Sequence, residues 1–231
     1  MDLLDLLFPK RCVACKAFGS YICPNCFAYL SFQSEDNCLV CNRPAIGGKT
    51  HPGCVGRYTI DGVSASLTYN HTAKRMITAL KYQPYISNMK TVLAELFYEG
   101  IIQKPYFVKF SQQSCLLVPI PLHPSRLRRR GYNQSELLAK EMAKKFGFKV
   151  ENCLQRIKDT SSQFALKRED RLKNMKDAFV LKLKTKDLIQ NKAIILVDDL
   201  VTSGATMLET AKVLKKSGAK NVWGVALCHG S

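Results

Sequence analysis

The stretch IILVDDLVTSGATM, residues 194–207, decides how this chain is read. The apolar run Lys192 to Val197 reads as a strand buried on both faces. It meets two adjacent acids, Asp198 and Asp199, then two apolar residues, then Thr202, Ser203, Gly204, Ala205 and Thr206. From Gly204 to Lys216 the spacing turns helical, and Gly218 closes the helix. A strand, a hydroxyl-rich loop and a helix in that order put the loop at the carboxyl end of a parallel strand, where α/β sheets take their ligands. Backbone N–H groups and hydroxyls at the positive end of the helix can wrap a phosphate, with Gly204 allowing close approach. Two carboxylates beside such a loop suit a ribose diol or a bound Mg²⁺. The loop carries neither the lysine of an ATPase P-loop nor the G-x-G-x-x-G of a dinucleotide site.

Working outward, residues 58–231 alternate strand and helix patterns. Strands are expected within 58–70, at Ser114 to Pro121, at 178–183 and at Asn221 to Cys228, with helices over 71–82, 88–102 and Asn133 to Phe146. Asn133 can cap the last of these, with Glu136 three positions on to complete a capping box. The alternation predicts a mostly parallel sheet with helices on both faces. A second charged constellation, PIPLHPSRLRRRGYNQSELLA (119–139), follows the Ser114 strand. Its four arginines, Arg126, Arg128, Arg129 and Arg130, suit a bidentate clamp on pyrophosphate. They equally suit a nucleic-acid backbone, with Tyr132 to stack on a base. Among the histidines, His123 is the best functional candidate because it sits in the turn before the arginines.

Residues 1–57 have a different texture and read as a separate small module. Seven of the ten cysteines fall before residue 55, in pairs with two-residue gaps: Cys12/Cys15, Cys23/Cys26, Cys38/Cys41 and the mixed pair His51/Cys54. Each gap lets both side chains reach one tetrahedral ion from a tight turn, and two pairs close a structural zinc site. Eight ligands make one or two Zn²⁺ sites, paired either sequentially or in an interleaved order. The remaining Cys115, Cys153 and Cys228 read as small buried hydrophobes. The net charge is +17; six basic against four acidic side chains lie before residue 58, so +2 belongs to the cysteine module and +15 to the rest. Such a surface attracts polyanions, whether nucleic acid or substrate phosphates. No apolar run reaches the ~18 residues of a membrane helix, which predicts a protein without membrane insertion, placed in the cytoplasm.

The 198–206 segment resembles the phosphoribosyl pyrophosphate (PRPP) signature of type I phosphoribosyltransferases. That resemblance implies that Asp198 and Asp199 bind ribose hydroxyls and that Thr202 to Thr206 bind the 5′-phosphate. Thr202 stands where some members place an acidic candidate base, and a threonine is not a general base near neutral pH. More of the chain is similar to the ComF/GntX family of competence-associated proteins. The matching features are LLDLLFPKRC at the start, the double zinc ribbon, Leu80-Lys81-Tyr82, the arginine segment, and Thr160-x2-Gln163-x2-Leu166 followed by Arg171 and Asn174. His51 replaces a common cysteine, and Arg57 a further one. The resemblance implies Mg²⁺ with PRPP, single-stranded DNA and competence-machinery proteins as partners, and Lys81 and Arg171 as contacts to substrate or nucleic acid. Three functions follow from these features: a PRPP-binding protein serving DNA uptake, a metabolic phosphoribosyltransferase, and a catalytically silent nucleic-acid adaptor.

Overall fold

The computed structural model describes residues 9–82, 89–160 and 167–230. The start of the chain up to Phe8, and Gln163 and Leu166 of the Thr160 stretch, lie outside the described residues. In chain order the elements are α1 (Pro24–Phe27), β1 (Asp36–Asn37), β2 (Pro44–Ala45), β3 (Gly62–Thr68), α2 (His71–Tyr82), α3 (Met89–Ile102), α4 (Pro105–Ser111), β4 (Cys115–Pro119), α5 (Pro124–Arg130), α6 (Gln134–Phe146), β5 (Lys149–Val150), β6 (Leu154–Arg156), α7 (Arg168–Met175), β7 (Phe179–Leu181), α8 (Lys186–Ile189), β8 (Ala193–Val201), α9 (Ala205–Lys216) and β9 (Asn221–His229).

Five strands form one parallel sheet in the order β3-β9-β8-β4-β5, while β6 and β7 pair antiparallel apart from it. The central strand β8 shows why the sequence folds this way. Its alternate residues serve two cores: Ile195 and Val197 pack with helices α2, α3 and α6, and Ile194 and Leu196 pack with α9 and β7. A run that is apolar at every position fits a strand covered on both faces. The chain leaves β4 toward β5 and leaves β8 toward β9, in opposite directions, so a topological switch point lies between the carboxyl ends of β4 and β8. Such a crevice is where open α/β sheets bind ligands.

The structure departs from the sequence reading in several places. β8 runs on to Val201, so Asp198 and Asp199 lie in the strand and only 202–204 form the loop. The arginine segment, for which no helix is expected from the sequence, is the short helix α5; the His123 imidazole accepts the Ser125 N–H as its cap, and Gly131, at φ +82°, ends it. The strand near 178–183 belongs to the β6–β7 ribbon and not to the main sheet. Asn133 caps α6 by accepting the Ser135 N–H. Glu136 does not complete a capping box, because its carboxylate is drawn away to Lys140 at 2.7 Å and to the Asn152 amide. Cys115, Cys153 and Cys228 are buried as expected, which raises their thiol pKa values. No helix among the described residues is long and apolar enough to cross a membrane.

The cysteine-rich segment lies along the open edge of β3. The Gln33 N–H donates to Ser66 O at 2.8 Å and the Thr68 N–H to Ser31 O at 2.9 Å, which adds a strand-like partner and blunts the edge. Gly48, at φ +73°, comes so close that a Cβ there would stand 1.8 Å from Val63 O. An ion pair is buried in this seam: Lys104 Nζ lies 3.0 Å from Asp36 Oδ2, and Asp36 Oδ1 accepts the Ala65 N–H. Removing one partner of such a pair leaves an uncompensated charge. Lys104→Met should therefore destabilise the protein by roughly 3–5 kcal/mol in urea melts at pH 7.

Candidate phosphate-binding site and metal centres

The cysteine pairs assemble sequentially. Cys12, Cys15, Cys23 and Cys26 form one cluster, and Cys38, Cys41, His51 and Cys54 the other, with ligand atoms in each within 4.8 Å of one another. The interleaved pairing does not form. Both first knuckles have the same shape. The residue four after the leading cysteine, Lys16 or Asn42, takes a left-handed conformation and donates its N–H back to the Cys12 or Cys38 carbonyl. His51 is a true member of its quartet. Its Nε2 lies 3.1 Å from Pro44 O, which leaves Nδ1, 3.2 Å from Cys41 Sγ, to face an ion. An outer hydrogen bond of this kind orients metal-binding histidines. Burial alone would raise the Cys12 thiol, but backbone N–H groups hold it down to about 6. Arg43, bonded to Cys41, pulls that thiol down to about 5. Donor set and geometry fit two structural Zn²⁺ ions with no open position.

At the carboxyl end of β8 the two acids part ways. Asp198 borders a shallow recess lined with residues 200–207. Asp199 is 3% exposed and points to other partners: Lys81 Nζ at 2.6 Å from Oδ2, and Gln134 Nε2, which donates to Oδ1 at 2.9 Å. The Ser135 hydroxyl donates to Asp198 Oδ1 at 2.9 Å. Burial, together with the neighbouring Asp199 charge, pushes the Asp198 carboxyl up to about 7. Burial would raise Asp199 as well, but the Lys81 ammonium beside it holds it below the usual carboxylate range. Past β8, Gly204 sits at φ +73° immediately before α9. Thr202 Oγ1 accepts from Arg171 Nη1 at 3.0 Å.

Of the arginine segment, the structure brings Arg130 to this site and splits up the rest. Arg130 donates to Gln134 Oε1 and stacks 5.3 Å from the Tyr82 ring, in the layer behind the Asp199–Lys81 pair. Arg126 turns to Thr160 O and lies 3.6 Å from Asp159. Arg128 and Arg129 face solvent. Tyr132 is half-buried, its hydroxyl tied to Leu80 O. Sequence reasoning missed Gln134 and Ser135 as site residues, although their place in the first turn of α6, just after the arginines, was a usable signal. It also missed Arg156, 6% exposed, which stacks on Phe179 and reaches Thr160 and whose pKa burial lowers to about 10. A lone arginine in a three-residue strand has no local signature.

Two outcomes follow from this geometry. The purified chain should carry two zinc ions, and His51→Ala should reduce that to one by metal analysis. A carboxyl whose pKa is raised in the folded state costs stability as the pH climbs from its unfolded value, about 4, through its folded value. An amide keeps the Ser135 bond without that cost. Asp198→Asn should therefore raise the melting temperature by a few degrees at pH 8 and by much less at pH 5, measured without ligand.

Comparison with known proteins agrees with both halves of the molecule. A double zinc ribbon domain model matches residues 3–55, and a phosphoribosyl transferase domain model matches residues 133–230. Competence protein F of Haemophilus influenzae is 37% identical over 113 residues, 48% of this chain and 49% of that protein. DNA utilization protein YhgH of Salmonella typhi is 36% identical over 114 residues, 49% of this chain and 48% of that protein. For these the matched span is about half of each relative's length. Competence protein ComFC of Streptococcus pneumoniae is 29% identical over 205 residues, 88% of this chain and 85% of that protein. A parallel five-stranded sheet that carries a phosphoribosyl transferase domain match, preceded by two potential zinc-binding quartets in a double zinc ribbon match, makes the chain a homologue of these competence and DNA utilization proteins.

Proposed function

We propose that this protein binds PRPP in the crevice at the ends of β4 and β8 and serves the cytoplasmic handling of single-stranded DNA during DNA uptake. The observation that carries the PRPP reading is the recess itself. Asp198 stands at its rim, partly exposed, with the hydroxyls of Thr202 and Ser203 on the loop and that of Thr206 in the first turn of α9. The 5′-phosphate goes to the loop and helix end, and the ribose hydroxyls to Asp198. Lys81, held on Asp199, and Arg130 behind it supply positive charge for the pyrophosphate. Mg²⁺ fits as the companion of that pyrophosphate. Asp199 is already filled by Lys81 and Gln134, so Asp198 is the carboxylate left for the ion. The ion would neutralise pyrophosphate charge there. Thr202 supports ligand binding without proton abstraction, since its hydroxyl oxygen accepts from a cationic guanidinium and has no basic character.

The names of the relatives, competence protein and DNA utilization protein, support the DNA part of the reading. The exposed Arg128 and Arg129, on a part of the chain carrying +15, offer phosphate contacts outside the recess.

Calorimetric titration with Mg²⁺ and PRPP should show saturable binding that Asp198→Asn weakens by about tenfold or more, or about 1.4 kcal/mol. No binding to the wild type would remove PRPP and leave the nucleic-acid adaptor. Binding of an oligothymidylate should fall steeply with salt, and Arg128→Ala with Arg129→Ala should flatten that dependence by roughly 0.7 for each phosphate no longer neutralised. An unchanged slope would put the DNA elsewhere.

A further inference from the structure

Leu39 stands between Cys38 and Cys41 at the tip of the second quartet's first knuckle, yet it is only 2% exposed. It belongs to the core of the α/β sheet, together with Val201, Ala205 and Met207, which flank the phosphate loop on both sides. At the loop's last residue, where α9 begins, a Cβ on Gly204 would lie 2.8 Å from Leu39 Cδ2, so the leucine rests directly on the glycine. Helix α7 joins the same two parts from the side. Arg168 Nη2 donates to Leu39 O and, at 3.3 Å, to Val40 O. One turn later Arg171 donates to Thr202, the loop's first hydroxyl. The first quartet is placed differently: its Val13 joins the opposite core, with α2 and α3.

We infer that the Cys38–Cys54 quartet is a positioning element of the phosphate site, acting through Leu39 and Arg168. The ion closes the 38–41 knuckle, the knuckle sets Leu39 against Gly204, and that contact holds the loop backbone in its ligand-ready shape. A loop organised in advance does not spend binding energy on ordering itself. Structural zinc binding is coupled to folding of its own turn, so loss of this ion releases Leu39. The coupling is reciprocal: whatever the second ion adds to phosphate affinity, the bound phosphate ligand returns as tighter retention of that ion. This rests on the assignment of residues 202–206 as the phosphate loop.

The test uses the full chain loaded with zinc, and reads metal content, amide hydrogen exchange at residues 203–206 and the affinity for Mg²⁺ and PRPP. Leu39→Ala should keep both ions, yet raise exchange in the loop and weaken PRPP by about tenfold each. Leu39→Met should restore both. Cys41→Ser should reproduce the loop effect, whereas Cys15→Ser, in the first quartet, should leave loop exchange within about twofold of wild type. PRPP should slow zinc loss to a chelator in Cys15→Ser, where the second ion is retained, and not in Cys41→Ser. Should Leu39→Ala prove too unstable to purify, Leu39→Val is read in the same way. Wild-type loop exchange in the leucine variants and in Cys41→Ser would overturn the inference. If the wild type fails to bind PRPP while loop exchange still rises in these variants, the positioning role stands and the ligand assignment falls.

Discussion

Two carboxylates occupy consecutive positions at the buried end of the central strand, and their mutual repulsion is the constraint around which this molecule is arranged. Placed in a poorly solvated crevice, they cannot both carry an unassisted charge. Lys81 from α2 and Gln134 from α6 settle Asp199, which leaves Asp198 at the recess with a raised pKa. Arg130 and Tyr132 in turn brace those partners, through Gln134 and through the Leu80 carbonyl beside Lys81. One acid therefore anchors a cation next to the recess, and the other borders the recess itself. The adjacent arginine segment ends up behind this layer instead of in the recess, because α5 sits one connection away from β4 and only its last arginine reaches back.

The zinc quartets are built into the sheet at two places. Residues 31–33 and Gly48 seal the exposed edge of β3, where the buried Asp36–Lys104 pair locks the seam. Leu39 enters the second core beside the 202–204 loop. A segment of about fifty residues has little apolar core of its own. Here each quartet borrows one from the α/β sheet, on opposite faces. The quartets can therefore be structural and still lie in packing contact with the loop at the end of β8.

Much of this is legible in local sequence. The knuckle spacing, the apolar β8 run, the hydroxyl loop and the Asn133 cap are all set by residues within a few positions of each other. The misreadings also have local causes. A linear reading ends β8 at the first charged residue, because acids are costly inside a strand unless partners arrive from elsewhere. It gives the arginine segment no helix because the prolines before the arginines read as a turn, although proline is well tolerated in the first turn of a helix. Glu136 has competing cations and amides within reach that a linear pattern does not show.

By itself the sequence determined which chemistry is present: two four-ligand metal sets, an acid pair, and a phosphate-type loop at a strand end. Tertiary structure decided what each group does. Lys81 with Asp199, Arg171 with Thr202 and Arg168 with Leu39 are separated by tens to more than a hundred positions in the chain. Their meeting depends on the order in which the strands pair and on which face each helix covers. Sheet order put Asp198 toward the recess and Asp199 toward a lysine, and seated a zinc-knuckle leucine on the loop glycine. Such contacts are set by packing between distant segments, for which no local pattern exists.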